Sequence, residues 1–568
     1  MRTTSALGAD FEELVDRPGD DIEFDPVGAF VPPEIVVKGG DLHLLVDAAE
    51  DALVNAGVQF YQRGGRIVRP VLEKVKAADT LGQARTTEAW HIGLVSQPYM
   101  RKVLTEVARF KKLDRRKDML FSIDCPASIA EVLLASAGDW QHLEVLRGIS
   151  CVPIIRADGS IFDEAGGYDS QTGLLYRPNG VTFDAVKQNP SRDDAIEAMA
   201  YIVRNGPVRQ YPFVENVDYA VWLSGVLSLI AKPLFNKTLA HCITSPNAGT
   251  GKSGLVDAWS IVATGRIAAV VDTTGRSDEL EKRLDAELVA GSAIISLDNM
   301  ESAFGGQAIA TLLSQERKNI RIMGRNDVTI TVTCDQFLTA NGNNLVVRDD
   351  CTRRSIICRL DAHVERPELR AFDFNPVNEA KVLRPKLVAA ILTILRAHLI
   401  SGQHHTVPIP GGFEGWSRFV QQPLVWCKCP DPWETSATLT AVDPAKVTLR
   451  AVIASWIAWN IERNSFKPVR AGELIDAASE RRSQTYGAEE PLIRPILRDA
   501  LLAVAPSKDG RSIHSGRLGR WLSDSQGKTV DKLVIDGREL SGLSIKLDRS
   551  NAASSFWVIE HRGQPLRW

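Results

Sequence analysis

The chain has 568 residues, 44% hydrophobic and 24% charged, a balance that excludes fibrous and fully disordered polypeptides. This length exceeds what one hydrophobic core organises, so roughly two to four domains are expected. With 67 basic against 70 acidic residues the formal net charge is −3, so any contact with nucleic acid has to come from local basic patches.

In chain order, residues 1–40 are rich in Asp, Glu, Gly and Pro and read as a loosely attached leader. The first residues do not read as a signal peptide, so the cytoplasm is the expected compartment. Apolar spacing predicts a helix from Leu42 to about Gly57, and Gln59–Val71 reads as a hairpin around Gly64-Gly65. Ser128–Ala137 reads as a helix capped by its serine, and Val152–Tyr176 carries repeated turn chemistry. Residues 41–190 are therefore expected to form an N-terminal α+β domain, with 191–235 a helical lead-in. Tyr219–Phe235 is apolar but interrupted by Ser224, Gly225, Ser228 and Lys232, which predicts a buried helix and no membrane span.

From Leu239 to Leu360 strands and helices alternate, the pattern of a parallel sheet with crossovers, so residues 236–400 are expected to be an α/β core. Pro385–Ile400 reads as a helix with its proline in the first turn. Residues 401–444, with Pro408-Ile409-Pro410-Gly411-Gly412, read as a connector. Residues 445–568 read as helices followed by short strands at Lys532–Ile535, Leu543–Leu547 and Phe556–Ile559, which suggests a winged-helix-like domain. The eight cysteines form no paired framework, and Cys427-Lys428-Cys429 lacks further ligands at zinc spacing.

Chemistry concentrates in the α/β core. The strand-like Ala240–Thr244 opens into Ser245-Pro246-Asn247-Ala248-Gly249-Thr250-Gly251-Lys252-Ser253, and a helix follows. Strand, glycine loop, Lys-Ser and helix make a Walker A arrangement that predicts ATP as ligand. Within the loop Pro246–Ser253, the backbone amides after Pro246 would cradle phosphates, Lys252 would reach the β- and γ-phosphates, and Ser253 would ligate Mg²⁺. Pro246 stands where the strict pattern has glycine, and proline has no N–H to give.

The apolar run Ser292–Leu297 ends in Asp298, a candidate metal-side carboxylate. Asn299 follows, where a proton-accepting Glu is usual; Glu301 is an alternative base. Phe337–Asn344 reads as a strand ending in amides, of which Asn341 or Asn343 could hold the attacking water. In Asp349-Asp350-Cys351-Thr352-Arg353-Arg354, Arg353 precedes the last strand and is either a finger for a neighbour's nucleotide or half of a surface pair with an adjacent aspartate.

Taken in order, Ser-Pro-Asn-Ala-Gly-Thr-Gly-Lys-Ser, Ile-Ile-Ser-Leu-Asp-Asn, Ala-Asn-Gly-Asn-Asn-Leu and Asp-Asp-Cys-Thr-Arg-Arg-Ser resemble the AAA+ replicative helicases of phages and mobile genetic elements. These are superfamily 3-like and minichromosome-maintenance-like members, of the phage or plasmid primase-helicase type. The resemblance covers most of residues 45–568 but is specific only in the core. It implies an AAA+ P-loop NTPase fold and a hexameric ring around single-stranded or forked DNA, with replication proteins as further partners. It also implies a sensor at Asn341 or Asn343, Arg353 acting in trans, and a DNA lever in the hairpin before the sensor strand. Arg321 and Arg325 would be the lever's basic positions, a solvated hairpin edge being the plainer reading. No paired carboxylates of the kind priming needs are evident before residue 236, so priming is not carried over.

Two further basic regions stand out. Arg109–Lys117 is the densest basic run and could track phosphates or be an exposed helix end; Arg517, Arg520, Trp521 and Lys528 would sit near a recognition helix and wing. The leading function is an ATP-driven DNA helicase or replication initiator. The alternatives are an AAA+ remodelling or defence-signalling ATPase that does not act on DNA, and a non-hydrolysing, nucleotide-gated DNA-binding scaffold.

Overall fold

A computed structural model describes residues 30–78, 84–274, 277–301, 303–321, 329–403, 407–482, 491–550 and 555–568. The chain forms two compact units, one from the described residues up to Val71 together with Gly93–Leu146, the other from Leu72–Ile92 and Arg147–Trp568.

The first unit opens with β1 (Glu34–Val37) and α1 (Leu42–Asn55), followed by β2 (Tyr61–Arg63). Two longer strands, β3 (Arg66–Ala78) and β4 (Ala84–Leu94), of which Leu72–Ile92 counts with the second unit, lead to α2 (Gln97–Val107), β5 (Arg109–Asp114), β6 (Met119–Ile123) and α3 (Ala127–Ala135). Helix α1 buries Leu45, Val46, Ala49 and Leu53, and α2 buries Met100, Val103, Leu104 and Val107, at the spacing of a single helical face. Both pack with Ile129 and Leu133 of α3 over Ile35 and Phe110 of the sheet β1-β5-β6. The capping expected of Ser128 does not occur. The helix begins at Ala127 after Pro126, whose ψ of 136° is extended, so Ser128 already lies inside the first turn.

In the second unit five short strands, β7 (Gly148–Ser150), β8 (Ile154–Ile155), β9 (Ile161–Phe162), β10 (Tyr168–Asp169) and β11 (Leu174–Tyr176), precede α4 (Arg192–Asn205) and α5 (Asn216–Ile230). Residues 147–190, expected to complete the N-terminal domain, instead send Val152 and Ile155 into the core that α4 and α5 share with the α/β region. Ser191 and Asp194 cap α4 reciprocally. Helix α5 is buried almost throughout, as its apolar run predicts, and among the described residues no helix is long and apolar enough to cross a membrane.

The α/β core follows as β12 (Ala240–Ser245), α6 (Lys252–Thr264), β13 (Val270–Val271), α7 (Ser277–Ala290), β14 (Ile294–Leu297), α8 (Gln307–Ser314), β15 (Arg317–Arg321), β16 (Thr329–Thr333), β17 (Phe337–Asn343) and β18 (Ser355–Arg359). Five strands make a sheet of order β13-β14-β17-β12-β18, every neighbouring pair parallel. Alternation along each strand feeds two cores. Ile243, Ile294, Phe337 and Ile356 join α5 and α6 on one face, while Cys242, Ile295, Leu338 and Ile357 join α7 and α8 on the other. Strands β15 and β16 form a separate antiparallel hairpin anchored by Ile320, Ile330 and Val332.

Helix α9 (Pro376–Ser401) starts earlier than the sequence suggests, because Asn375 accepts the Asn378 N–H at 3.0 Å and Pro376 occupies the first turn. Pro385 therefore lies in the helix interior. Residues 401–444 are more than a connector. Phe413, Trp416, Val420, Leu424 and Trp426, from α10 (Glu414–Trp416), a π turn and α11 (Gln422–Trp426), are buried in the core under α5, and Trp416 Nε1 donates to Ser228 Oγ at 2.9 Å. Helices α12 (Thr435–Val442) and α13 (Pro444–Glu462) lead to the C-terminal part. There α14 (Ala471–Ser479), α15 (Pro495–Val504) and α16 (Ser515–Asp524) pack with Trp456, Ile545 and Trp557 on an antiparallel hairpin of residues 543–550 and 555–561.

Gly225 of α5 faces Trp259 of α6, and a Cβ there would lie 2.5 Å from the indole. Gly225→Val is therefore expected to destabilise the second unit by about 1–3 kcal/mol, seen as a lower unfolding midpoint in urea. An unchanged midpoint would mean that the two helices separate without cost.

Candidate nucleotide site

The glycine loop, Lys252, Ser253, Asp298, Asn341 and Asn343 lie at the carboxyl ends of the parallel strands, where open α/β sheets bind ligands. Strand β12 ends at Ser245 and α6 begins at Lys252, so the loop between them is fixed at both ends. Gly249 has φ 77° and Gly251 φ 96°, left-handed values that a side chain would oppose. Leu255 N is the first amide of α6 to find an intrahelical acceptor, Gly251 O at 3.2 Å. The preceding amides of the turn are left to whatever lies before the helix. Pro246, Asn247, Ala248 and Gly249 form an exposed lip.

Lys252 is the centre of the site. Only 8% of it is exposed, and its Nζ donates to Ser245 Oγ at 2.6 Å, Asn343 Oδ1 at 2.6 Å and Asn247 O at 3.3 Å. All three acceptors are neutral. Burial holds the ammonium below its ordinary pKa, and Asp298 opposes that shift from a distance without a direct contact. A buried cation with no anion in contact is costly, and it becomes favourable when a polyanion takes the place of the neutral oxygens. Thr250 Oγ1 supports the arrangement by donating to Ser245 Oγ at 2.8 Å.

Beside it, Ser253 Oγ donates to Asp298 Oδ1 at 3.0 Å. Two hard oxygens this close suit Mg²⁺, which takes one or two protein ligands and completes its shell with phosphate and water. Among the described residues no group of three or more His, Cys, Asp or Glu is arranged to hold a metal by itself. The donor set thus fits a nucleotide-borne magnesium and no all-protein metal centre.

The two asparagines that sequence leaves as alternatives face different ways. Asn343 contacts Lys252, whereas Asn341 accepts Asn299 N–H at 3.0 Å through Oδ1 and Met300 N–H at 2.8 Å through its backbone oxygen. Asn341 clamps the turn after Asp298, where Asn299 adopts φ 49°, and its buried Nδ2 has no hydrogen-bond partner among the described residues. Asn299 donates through its backbone and has no group that can accept a proton. Glu301 is exposed just past this turn, and no hydrogen bond or ion pair joins it to Lys252, Ser253 or Asp298 among the described residues.

Arg353 lies in the 3₁₀ turn Asp349–Arg354, 57% exposed, and shares Asp350 with Arg354 at 2.5 and 2.7 Å. Ser355 is level with Ala240, so the arginine sits at the amino end of the sheet. It is about one strand length from its own glycine loop, roughly 15–20 Å at the rise of a strand, too far to touch a ligand held there. Arg321 ends β15 on the hairpin, exposed and unpaired among the described residues; Arg325 lies outside them.

Four residues near the site give little signal in sequence. Tyr211 packs on Gly251, where a Cβ would lie 2.9 Å from its ring, and Glu368 lies equally close to Gly249. Both come from irregular segments far from the loop in sequence. Asp257, one turn after Ser253 on α6, is half-buried with its pKa raised by burial and by Asp298. Asp272 follows β13, and because Val271 pairs with Leu297 it stands level with Asp298. A two-residue strand shows no periodicity that could have flagged it.

The sheet order, the glycine loop and the Ser253–Asp298 pair define a P-loop-type α/β fold. No family model matches the chain, and no curated protein matches it. Among solved structures, the apo A form of the NrS-1 C-terminal region (305–718) aligns at 11% identity over 90% of this chain and 98% of its own, with a TM-score of 0.38. Another apo structure of that region gives 10% identity, the same coverages and a TM-score of 0.39. SCCmec type IV Cch, described as an active helicase, aligns at 9% identity over 89% and 97% with a TM-score of 0.28. Likeness this distant carries no weight beside the strand register and the site geometry.

Asn343→Ala and Asn341→Ala should separate in behaviour. The first is expected to lower nucleotide turnover at least tenfold with an unchanged melting temperature, the second to lower the melting temperature by leaving the Asn299 amide without its acceptor. Equal effects on both readouts would refute the division of roles.

Proposed function

We propose that this chain is an ATP-driven DNA helicase or replication initiator of the kind carried by phages and mobile elements, active as a ring of identical subunits. The observation that carries the reading is the buried Lys252 ammonium among neutral oxygens, one residue from the Ser253–Asp298 pair.

In this reading the first-turn amides of α6 and the glycine loop hold the phosphates, and Lys252 exchanges its neutral acceptors for phosphate oxygens. Ser253 and Asp298 would hold Mg²⁺, which when bound neutralises charge on the phosphate oxygens. Asn343, released from Lys252, orients the attacking water without adding charge. The water's proton has no acceptor at Asn299, so turnover is expected to be slow unless a carboxylate such as Glu301 serves. Arg353, remote from its own loop, would act in a neighbour's site, where such a residue is worth about 10³–10⁵ in rate. The hairpin β15-β16, placed in the chain just before the strand that carries Asn343, would transmit nucleotide state to DNA through Arg321 and Arg325.

Two experiments test this. Phosphate release should fall to background in Lys252→Ala and rise with single-stranded DNA in the wild type; turnover indifferent to DNA would favour a remodelling ATPase. Arg353→Ala should also be inactive alone, yet an equimolar mixture with Lys252→Ala should regain turnover that neither shows, because mixed interfaces contain one intact set. A mixture as inactive as its components would exclude action in trans.

A further inference from the structure

The basic run Arg109–Lys117 is not a helix end. It forms β5 and the turn into β6, an antiparallel hairpin on the edge of the three-stranded sheet of the first unit. Between Arg109 and Asp118 the sequence carries six basic residues against Asp114 and Asp118. Lys111 is neutralised by Glu34 at 2.5 Å. The other five, Arg109, Lys112, Arg115, Arg116 and Lys117, are exposed, and none has an ion pair with an acidic side chain among the described residues. Cations elsewhere, such as Arg156, Lys318, Arg359 and Arg494, are held by carboxylates, whereas here five lie together on one short hairpin.

The same hairpin exposes large apolar side chains. Met119 is 64% exposed, Phe121 48%, Leu113 45% and Leu120 45%. The register places Lys112 opposite Phe121 on one face of the ribbon and Leu113 opposite Leu120 on the other, so a cation and an aromatic ring are cross-strand neighbours and both faces carry apolar surface. Only the far end of the ribbon, Phe110 with Ile123, packs on the helices. An apolar ribbon left in water among five unneutralised cations is costly to maintain. The ligand that satisfies both features carries regular negative charge and exposed flat apolar faces.

We infer that the β5-β6 hairpin is a binding site for single-stranded nucleic acid, separate from the nucleotide site and independent of it. Arg115, Arg116 and Lys117 at the turn contact the phosphates, while Phe121 gives a base a surface to stack on. A duplex offers the phosphates but hides the base faces, so single strands are preferred. The overall charge of −3 provides no general attraction for a polyanion, which leaves the affinity to this local cluster. The inference needs neither ATP hydrolysis nor ring formation.

The test is fluorescence anisotropy of the full chain with a labelled oligothymidylate, without nucleotide, over a range of salt. The combined variant Arg115→Glu/Arg116→Glu/Lys117→Glu should bind at least tenfold more weakly, and its log affinity should fall less steeply with log salt, by about 0.7 per lost phosphate contact. Phe121→Ala should weaken binding several-fold with the salt slope unchanged, a split that loss of folding would not produce. Lys252→Ala should bind as the wild type does, so failure of the catalytic reading leaves this measurement intact. Wild-type affinity in the triple variant, or poly-glutamate competing as well as the oligonucleotide, would overturn the inference, the latter in favour of an acidic protein partner.

Discussion

The structure depends on an unbalanced charge. A lysine buried at the carboxyl edge of a parallel sheet ordinarily finds a carboxylate or gives up its proton. Lys252 instead meets a serine hydroxyl, a backbone carbonyl and an asparagine side chain, with Asp298 engaged by Ser253 beside it. Its neighbours satisfy its hydrogen bonds without cancelling its charge, and the glycines that curl the loop aim further partial positive charge at the same point. The surrounding architecture supports that arrangement. Strand β12 is central in the sheet, α6 is locked against α5 by Gly225 and Trp259, and Arg384 of α9 reaches under the far end of α6 to bond Val262 O at 3.1 Å.

Asn343 and Asn341 illustrate how two residues in one strand acquire different tasks. Separated by a single residue, they point to the same side of β17, yet their strand neighbours differ. Asn343 is level with Ser245, at the mouth of the glycine loop, and Asn341 is level with Ile243, one step deeper, where the turn after Asp298 passes. The deeper amide fixes the turn after Asp298 and the outer one meets the lysine. Arg353 belongs to a different place again, at the opposite end of the sheet from its own loop.

Much of the α/β core was legible in the sequence because its signals are local. Strand, glycine loop and helix follow one another directly, and Asp298 and Asn343 end apolar runs. The choice between the asparagines was not legible, since register between strands distant in sequence decides it. Asp272 and Tyr211 were hidden for the same reason: a very short strand and an irregular loop become site neighbours only through the fold. Beyond the core, residues 147–190 and 401–444 look like domain tail and connector because they are rich in turns. Their few large apolar residues, Ile155, Trp416 and Trp426 among them, are nevertheless buried in the same core as α5 and α6. The run Arg109–Lys117 was conspicuous as charge but ambiguous as structure, because β5 alternates too few apolar residues to announce a strand.

The most direct test of the lysine's role is calorimetric titration of a non-hydrolysable ATP analogue into the purified chain, with and without magnesium. The account predicts saturable binding that magnesium strengthens in the wild type, binding at least tenfold weaker in Lys252→Met, and loss of the magnesium effect in Asp298→Asn. A chain that takes up no analogue under any of these conditions, or a Lys252→Met variant that binds it unchanged, would contradict the claim that this buried charge exists to meet a polyphosphate.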